Sequence, residues 1–204
     1  MRLRMAALMM TLLLLLLSGC GGGNETVSQD ARLRQNYAGL TSFTGVARVT
    51  ADYGDKVYQY DISVSGDLSS GTLEVLSPET IAGTGFSWSD GGGVMTYEEV
   101  SLETGTLSPD GLSPADAMPL VLNTLATGKQ LAAGEETIDG EKTLFLELAN
   151  ASYQEETSTV CVWLAQESGA LRRAEITWEG NTVITYSFTE FSYTFDRSNQ
   201  ETEG

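Results

Sequence analysis

The sequence predicts a mainly β domain of the α+β class: a single long antiparallel meander of about ten strands, with a leading helix and a helix inserted in the middle of the chain. Three observations predict this fold. Long stretches alternate apolar and polar residues with a period of two, which is typical of strands with one buried face. Short turn sequences separate these stretches. Only two stretches carry the capping signals and the apolar spacing of a helix.

The first residues indicate a cleaved leader rather than a membrane-spanning helix. Arg2 and Arg4 precede an apolar run over residues 5–17. A helix of that length covers roughly 20 Å, which is short of the ~30 Å hydrocarbon core of a bilayer. A basic start, a short apolar centre and small residues after it are typical of a secretory signal.

The end of the leader, Leu17-Ser18-Gly19-Cys20, resembles the bacterial lipobox. This resemblance implies that the Cys20 thiol receives a diacylglycerol and that cleavage makes Cys20 the first residue. We therefore expect a signal peptide over 1–19, a lipidated cysteine and flexible tether over 20–30, a folded domain over 31–196 and a disordered tail over 197–204. The protein is then expected on the outer face of the cell membrane, held by its lipid anchor.

Composition excludes several classes of function. The leader carries two of the 11 basic residues and none of the 28 acidic ones, so the mature chain has a formal charge of −19. Such a chain repels phosphate backbones, and we expect no nucleic-acid partner. The chain has no histidine, which excludes Ser/His/Asp and Cys/His catalysis and histidine metal sites. We predict no enzymatic activity, no cofactor and no metal.

Cys161 is the one cysteine left once Cys20 carries lipid. It lies within an alternating stretch, T-V-C-V-W-L, that predicts a strand. We interpret it as a small buried hydrophobic residue rather than a reactive thiol.

Two helices are predicted. The first covers residues 28–39, where Ser28 can cap the start and Leu33 and Tyr37 share one stripe. The second covers Pro114 to Ala126, after a capping serine and with a proline in its first turn. A further proline, Pro119, leaves two alternatives open, since it either stays within one helix or divides the segment into a turn and a shorter helix.

Period-two alternation predicts the strands. They are expected at 43–53, 58–65, 72–76, 81–88, 94–97, 102–107, 129–138, 143–148, 157–165, 171–178 and 182–195. In the last of these the apolar residues change from even to odd positions near Thr189-Glu190. This switch predicts a β-bulge or a sharp bend.

The order of three short motifs resembles one known family. Y-x-x-L-x-S-F ends the leading helix at 37–43, G-T-L-E-V-L-S-P follows at 71–78, and S-D-G-G-G-V-M-T-Y lies at 89–97. A proline-rich helical insert and a run of hairpins come next. This order resembles the LolA/LolB-like lipoprotein carriers, and among them the lipidated members from Gram-positive bacteria such as the clostridial spore-germination lipoprotein. The resemblance implies that the meander forms a single curved antiparallel sheet, an open half-barrel. Helices cover its concave face, the inserted helix over Pro114 to Ala126 is the lid, and an apolar cavity lies between the helices and the sheet.

The inward positions of the first strands and of the lid would line that cavity. The predicted ligand-binding residues are Phe43, Val49, Tyr58, Tyr60, Ile62, Leu120 and Val121. Two interpretations stay open, because the same aromatic and aliphatic side chains would also serve to fill a core. The function is accordingly predicted as binding of an acyl chain or another apolar ligand. The alternative is a non-enzymatic protein-binding module at the cell envelope, such as a partner of a cell-wall or germination enzyme, docking through an edge strand or an acidic face.

Overall fold

The structure, a computed structural model, describes residues 28–89, 92–105, 112–150 and 158–196. The predicted signal peptide, Cys20, most of the predicted tether and the predicted tail lie outside these residues.

Two α-helices and one short 3₁₀ helix are present in the described part of the chain. They are α1 (Gln29–Ala38), the 3₁₀ helix (Glu79–Ile81) and α2 (Pro114–Thr127). In α1, Leu33 and Tyr37 are buried one turn apart, as their spacing predicts. Ser28 precedes α1, but its side chain does not cap the helix. It bonds the Asp30 carboxylate instead, which lowers the pKa of Asp30.

The inserted helix α2 is continuous. Ser113 caps it, since its Oγ accepts a hydrogen bond from the Ala115 N–H at 3.3 Å, and Pro114 occupies the first turn. Pro119 lies inside the helix without dividing it. It is the sixth residue of α2, so the missing N–H removes a single bond to the Ala115 carbonyl near the helix start.

Eleven strands form the sheet. They are β1 (Leu40–Asp52), β2 (Val57–Gly66), β3 (Gly71–Ser77), β4 (Gly85–Ser89), β5 (Gly92–Tyr97), β6 (Val100–Glu103), β7 (Gln130–Ile138), β8 (Glu141–Ala149), β9 (Ser158–Ala165), β10 (Leu171–Trp178) and β11 (Asn181–Phe195). Every pair of neighbours is antiparallel, and the order across the sheet is β6-β5-β4-β3-β2-β1-β11-β10-β9-β8-β7. This single open antiparallel sheet with a leading and an inserted helix confirms the predicted fold class.

Several strand boundaries differ from the predictions; β1, for example, begins at Leu40 and β5 at Gly92, each before its predicted start. The strand predicted from residue 81 begins at Gly85, because the 3₁₀ helix and a hydrogen bond from Thr84 Oγ1 to the Ile81 carbonyl, 2.7 Å, turn the chain there. The weak strand predicted over 102–107 is β6, which begins two residues earlier.

The predicted irregularity near residue 189 is a bulge in the central strand pair. Ala47 pairs with Phe188 and Val46 pairs with Glu190, so Thr189 has no partner opposite it in β1. An extra residue in one strand increases local twist and bends the pair. The change in the parity of apolar residues is therefore the sequence mark of this bend.

The core lies between one face of the sheet and the two helices. The inner face of α2 contributes seven buried residues: Ala117, Met118, Leu120, Val121, Leu122, Thr124 and Leu125. The helix contacts α1 and strands β4, β8, β9 and β10. Arg34 of α1 holds the far end of α2, because its Nε donates to the Leu125 carbonyl at 3.1 Å and its Nη2 donates to the Gly128 carbonyl. Neither helix has the length and apolar character that a membrane crossing needs.

Candidate apolar binding site

An apolar cleft of about 170 Å³ lies between the inner face of β2–β5 and the first turn of α2. It is lined by Tyr60, Ile62, Leu73, Val75, Thr84, Gly85, Phe86, Met95, Ser113, Pro114 and Ala115. The sheet register places these side chains together: Ile62 lies opposite Val75, Leu73 opposite Phe86, and Phe86 opposite Met95. Residues directly opposite in an antiparallel pair share one face of the sheet. Four neighbouring strands thus build one apolar wall.

Two tyrosines position the other wall. The Tyr186 hydroxyl donates to the Pro114 carbonyl, and the Tyr53 hydroxyl donates to the Leu112 carbonyl at 2.7 Å. Burial raises the pKa of Tyr186 far above its usual value, so its hydroxyl keeps the proton that it donates. The start of α2 is therefore tied to β11 and to the end of β1.

None of the described residues that line the cleft carries a charged side chain. Two of its polar side chains already serve the backbone, since Thr84 bonds the Ile81 carbonyl and Ser113 caps α2. Burial, followed by the neighbouring Tyr58, raises the pKa of Tyr60, which therefore stays a neutral phenol. Such walls favour an apolar occupant over an ionic one, because an unpaired charge in this cleft would lose its hydration without compensation.

The seven residues predicted to bind a ligand do not all meet. Tyr60 and Ile62 line the cleft. Phe43 and Val49 are buried elsewhere along β1, and Leu120 and Val121 are buried on α2. Tyr58 lies outside the cleft with 41% of its surface exposed, and its ring packs edge-on against Tyr53 with centroids 6.2 Å apart. Ligand binding by all seven stays a prediction.

Sequence reasoning missed the part of the cleft contributed by β3, β4 and β5. The missed residues are Leu73, Val75, Phe86 and Met95. The alternation of Leu73 and Val75 in a predicted strand was a usable signal for an inward face. The sequence did not reveal which strands lie beneath the first turn of α2.

A larger depression, of about 710 Å³, lies on the opposite face of the same strands. Hydroxyl side chains and the carboxylates of Glu74 and Glu190 contribute much of its lining. Several of the hydroxyls bond one another, as Thr44 does with Ser192 at 3.0 Å. This open, polar surface does not suit an apolar chain, and the smaller inner cleft is the better candidate site.

Cys161 lies in β9, as predicted, but it faces away from the core and is half-buried. Burial, followed by the carboxylates of Glu147 and Glu175, raises its pKa to about 12. The thiol is therefore neutral near pH 7 and a poor nucleophile. Among the described residues, no group of three or more His, Cys, Asp or Glu side chains is placed to hold a metal ion.

No protein-family model matches the sequence, and a comparison with curated proteins finds no match. Solved structures do match. An uncharacterized conserved protein from Thermus thermophilus is 9% identical with a TM-score of 0.50, over 85% of this chain and 92% of that one. The LolA superfamily protein NE2245 from Nitrosomonas europaea is 14% identical with a TM-score of 0.46, over 86% of this chain and 97% of that one.

A third match lies in the complex of the CwlD amidase from Clostridioides difficile with the GerS lipoprotein. It is 16% identical with a TM-score of 0.43, over 85% of this chain and 98% of that one. At these identities the likeness concerns the fold alone.

Proposed function

We propose that this protein is a lipid-anchored lipoprotein of the cell envelope whose half-barrel holds the apolar end of a ligand, such as an acyl chain. The cleft between β2–β5 and the start of α2 carries this proposal. Its described lining is mostly apolar and carries no charge, and a helix that lies across the sheet bounds it. The role is non-catalytic, in keeping with a chain that has no histidine.

The size of the cleft limits what it can hold. A cavity of about 150 Å³ accommodates a molecule of the size of benzene, and ligand pockets commonly occupy roughly 300–1,000 Å³. A cleft of about 170 Å³ therefore takes a short apolar segment rather than a whole lipid. Each buried methylene contributes about 0.8 kcal/mol, and a longer chain requires the first turn of α2 to move outward.

Uptake of an apolar fluorophore tests the proposal. The probe is 1-N-phenylnaphthylamine, displaced by palmitate, with the full chain in phosphatidylcholine nanodiscs. Ala115→Phe places a ring in the cleft and should abolish the saturable uptake. Ser63→Phe is the matched control, because Ser63 follows Ile62 in β2 and faces the opposite side of the sheet. Equal uptake by both variants and the wild type would reject the cleft as the binding site.

The anchor has a separate test. Intact-mass measurement of the membrane-extracted protein should show a chain that begins at Cys20 and carries a diacylglycerol. Cys20→Ala should remain unprocessed and lack the lipid mass. A wild-type chain that retains residues 1–19 would contradict the lipoprotein assignment without bearing on the cleft.

A further inference from the structure

Strand β6 forms one edge of the sheet, and all four of its residues are exposed. Val100 and Leu102 are 69% and 61% exposed, the highest values among the large apolar side chains of the described residues. Tyr97, opposite Val100 on β5, is 44% exposed. Proteins usually protect an edge strand with inward charges, lysine or proline. Here the inner face of the edge is apolar, and no other described element of the chain covers it.

The backbone of β6 also has N–H and C=O groups that pair with no described residue, and the register of the strand shows which groups these are. β5 and β6 are joined by the two-residue turn Glu98-Glu99, in which Glu98 has a φ of 52°. The residue pair that closes such a turn, here Tyr97 and Val100, exchanges two backbone hydrogen bonds. Along the ladder, hydrogen-bonded pairs then alternate with pairs that exchange no backbone hydrogen bonds. The backbone groups of Val100 and Leu102 accordingly point to β5.

Ser101 and Glu103 therefore direct their N–H and C=O groups away from the sheet. The next pair along the ladder confirms this phase, since the Thr104 N–H donates to the Gly93 carbonyl at 2.9 Å. An extended chain placed beside β6 would find donors and acceptors at Ser101 and Glu103. This is the arrangement that strand addition uses.

The side chains continue the inner apolar surface outward from the cleft. Leu102 lies opposite Met95, which lines the cleft, and Val100 lies opposite Tyr97. A neighbouring strand would place every second side chain against Val100 and Leu102. Those side chains must be apolar to gain from the contact.

The charge around β6 determines which side chains are favoured at the outward-facing positions of a partner strand. Residues 92–105 contain three glutamates, Glu98, Glu99 and Glu103, and no lysine or arginine. The outward side chains of an added strand would lie beside Ser101 and Glu103, where a basic residue is favoured. The same carboxylates disfavour pairing of this edge with its own copy, because like charges on adjacent strands repel.

We propose that β6 binds an extended segment of a protein partner in which lysine or arginine alternates with apolar residues. The segment adds to the sheet beside β6. Its apolar side chains cover Val100 and Leu102, and its basic side chains lie beside Glu103 and the Glu98-Glu99 turn.

A labelled ten-residue peptide of alternating lysine and valine is the probe, with an alternating glutamate–valine peptide for comparison. The full chain in phosphatidylcholine nanodiscs is titrated and followed by fluorescence anisotropy. We expect saturable binding of the lysine peptide alone, weakened at least fivefold when salt is raised from 0.05 to 0.5 M, since screening reduces attraction between exposed charges. Amide hydrogen exchange should slow at residues 101 and 103.

Two variants separate strand addition from general charge attraction. Ser101→Pro removes an outward N–H while leaving the bonds between β5 and β6 intact, and it should weaken peptide binding at least tenfold. Thr137→Pro in β7, at the opposite edge of the sheet, is the matched control. Ile138 and Glu141 close the two-residue turn Asp139-Gly140. Thr137 is next to that closing pair, as Ser101 is next to Val100, so its N–H also points away from the sheet. The Thr137→Pro variant should leave binding within twofold of the wild type. Glu103→Lys should weaken binding of the lysine peptide and permit binding of the glutamate peptide.

Equal losses for Ser101→Pro and Thr137→Pro, equal binding of the two peptides, or slowed exchange elsewhere would overturn the proposal. Self-association of the protein that Ser101→Pro abolishes would overturn it as well, since the occupant would then be a second copy. The result is distinct from that of the cleft, because Ala115→Phe removes probe uptake without altering the backbone of β6.

Discussion

The two halves of the sheet differ in how completely they are covered. In β8 and β9 the inward residues Leu146, Leu148, Val162 and Leu164 are fully buried. In β5 and β6 the inward side chains become progressively exposed, and Leu102 at the edge is mostly in solvent. A helix of fourteen residues is roughly 21 Å long, whereas eleven strands spaced by ~4.8 Å span roughly 50 Å. One inserted helix therefore cannot cover the whole sheet. It lies over β8, β9 and β10, here called the closed half, whereas β5 and β6 of the open half lie largely beyond it. The edge strand β7 beside the closed half is exposed as well.

This difference suggests separate roles for the two halves, one in stability and the other in binding. The closed half contributes many of the fully buried side chains of the core. The open half contains the candidate cleft and the exposed edge, where side chains are available to a ligand or a partner. Substitutions in the two halves should therefore have different consequences for stability.

The largest effect is expected from truncation in the closed half. Leu146→Ala removes a fully buried side chain of β8 and should lower the free energy of unfolding by about 3 kcal/mol, through lost burial and the cavity left behind. Leu102→Ala in β6 should change it by less than about 0.5 kcal/mol, because that side chain is exposed. Urea unfolding of both variants measures the difference, and similar losses would show that the open half is covered in solution.

The second prediction tests whether the open half is loosely packed throughout. A Cβ added to Gly71 in β3 would lie 2.2 Å from Cζ2 of Trp88 and 2.6 Å from the Ser65 carbonyl oxygen. Gly71→Ala should therefore cost about 1–3 kcal/mol by overpacking. At Gly134 in β7 the added Cβ would meet only Cδ1 of Phe145, at 4.0 Å, within ordinary contact. Gly134→Ala should be neutral or slightly stabilising in the same measurement, and equal costs would mean that the Trp88 ring moves aside.

Much of the fold follows from local signals in the sequence. The alternation of Val46 to Ala51 fixes the inner face of β1, and the parity switch at Thr189 marks the bulge that bends β11. The Ser113-Pro114 pair marks the start of α2. Each signal depends on neighbours in the chain, so it can be interpreted without knowing the rest of the structure.

The candidate site follows less directly because it depends on distant contacts. The cleft forms where the first turn of α2 passes over β2 to β5, and that crossing is set by the bonds of Tyr53 and Tyr186 to the start of the helix. Neither bond has a local sequence signal. Period-two alternation also indicates which side chains face inward, but it does not indicate where the helix stops covering them. Tyr58 and Leu102, for example, are apolar residues of alternating strands that remain exposed.

The capped start of α2 lies beside the cleft in the open half, while the rest of the helix packs on the closed half. Ser113→Ala removes the acceptor for the Ala115 N–H and should lower the free energy of unfolding by about 1 kcal/mol. Ser101→Ala is the control, since that exposed serine lies in the edge strand and should change stability little. If the cap also holds the cleft closed, Ser113→Ala should take up 1-N-phenylnaphthylamine faster than the wild type. Unchanged stability would mean that Pro114 and Tyr186 suffice to hold the helix start.

The smallest effect at neutral pH is expected at Cys161, on the outer face of the closed half. Cys161→Ala removes no fully buried side chain and should change stability at pH 7 by less than about 1 kcal/mol. A difference should emerge in alkali. The folded protein raises the pKa of this thiol from 9.0 to about 12, mainly through burial and then through Glu147 and Glu175. The neutral thiol therefore stabilises the folded state fully below pH 9, and this contribution is lost as pH rises toward 12. The unfolding midpoint of the wild type should fall more steeply between pH 9 and 11 than that of Cys161→Ala. Parallel curves would indicate that the thiol is as well hydrated in the folded chain as in the unfolded one, and that even the covered half of the sheet leaves its outer face open to water.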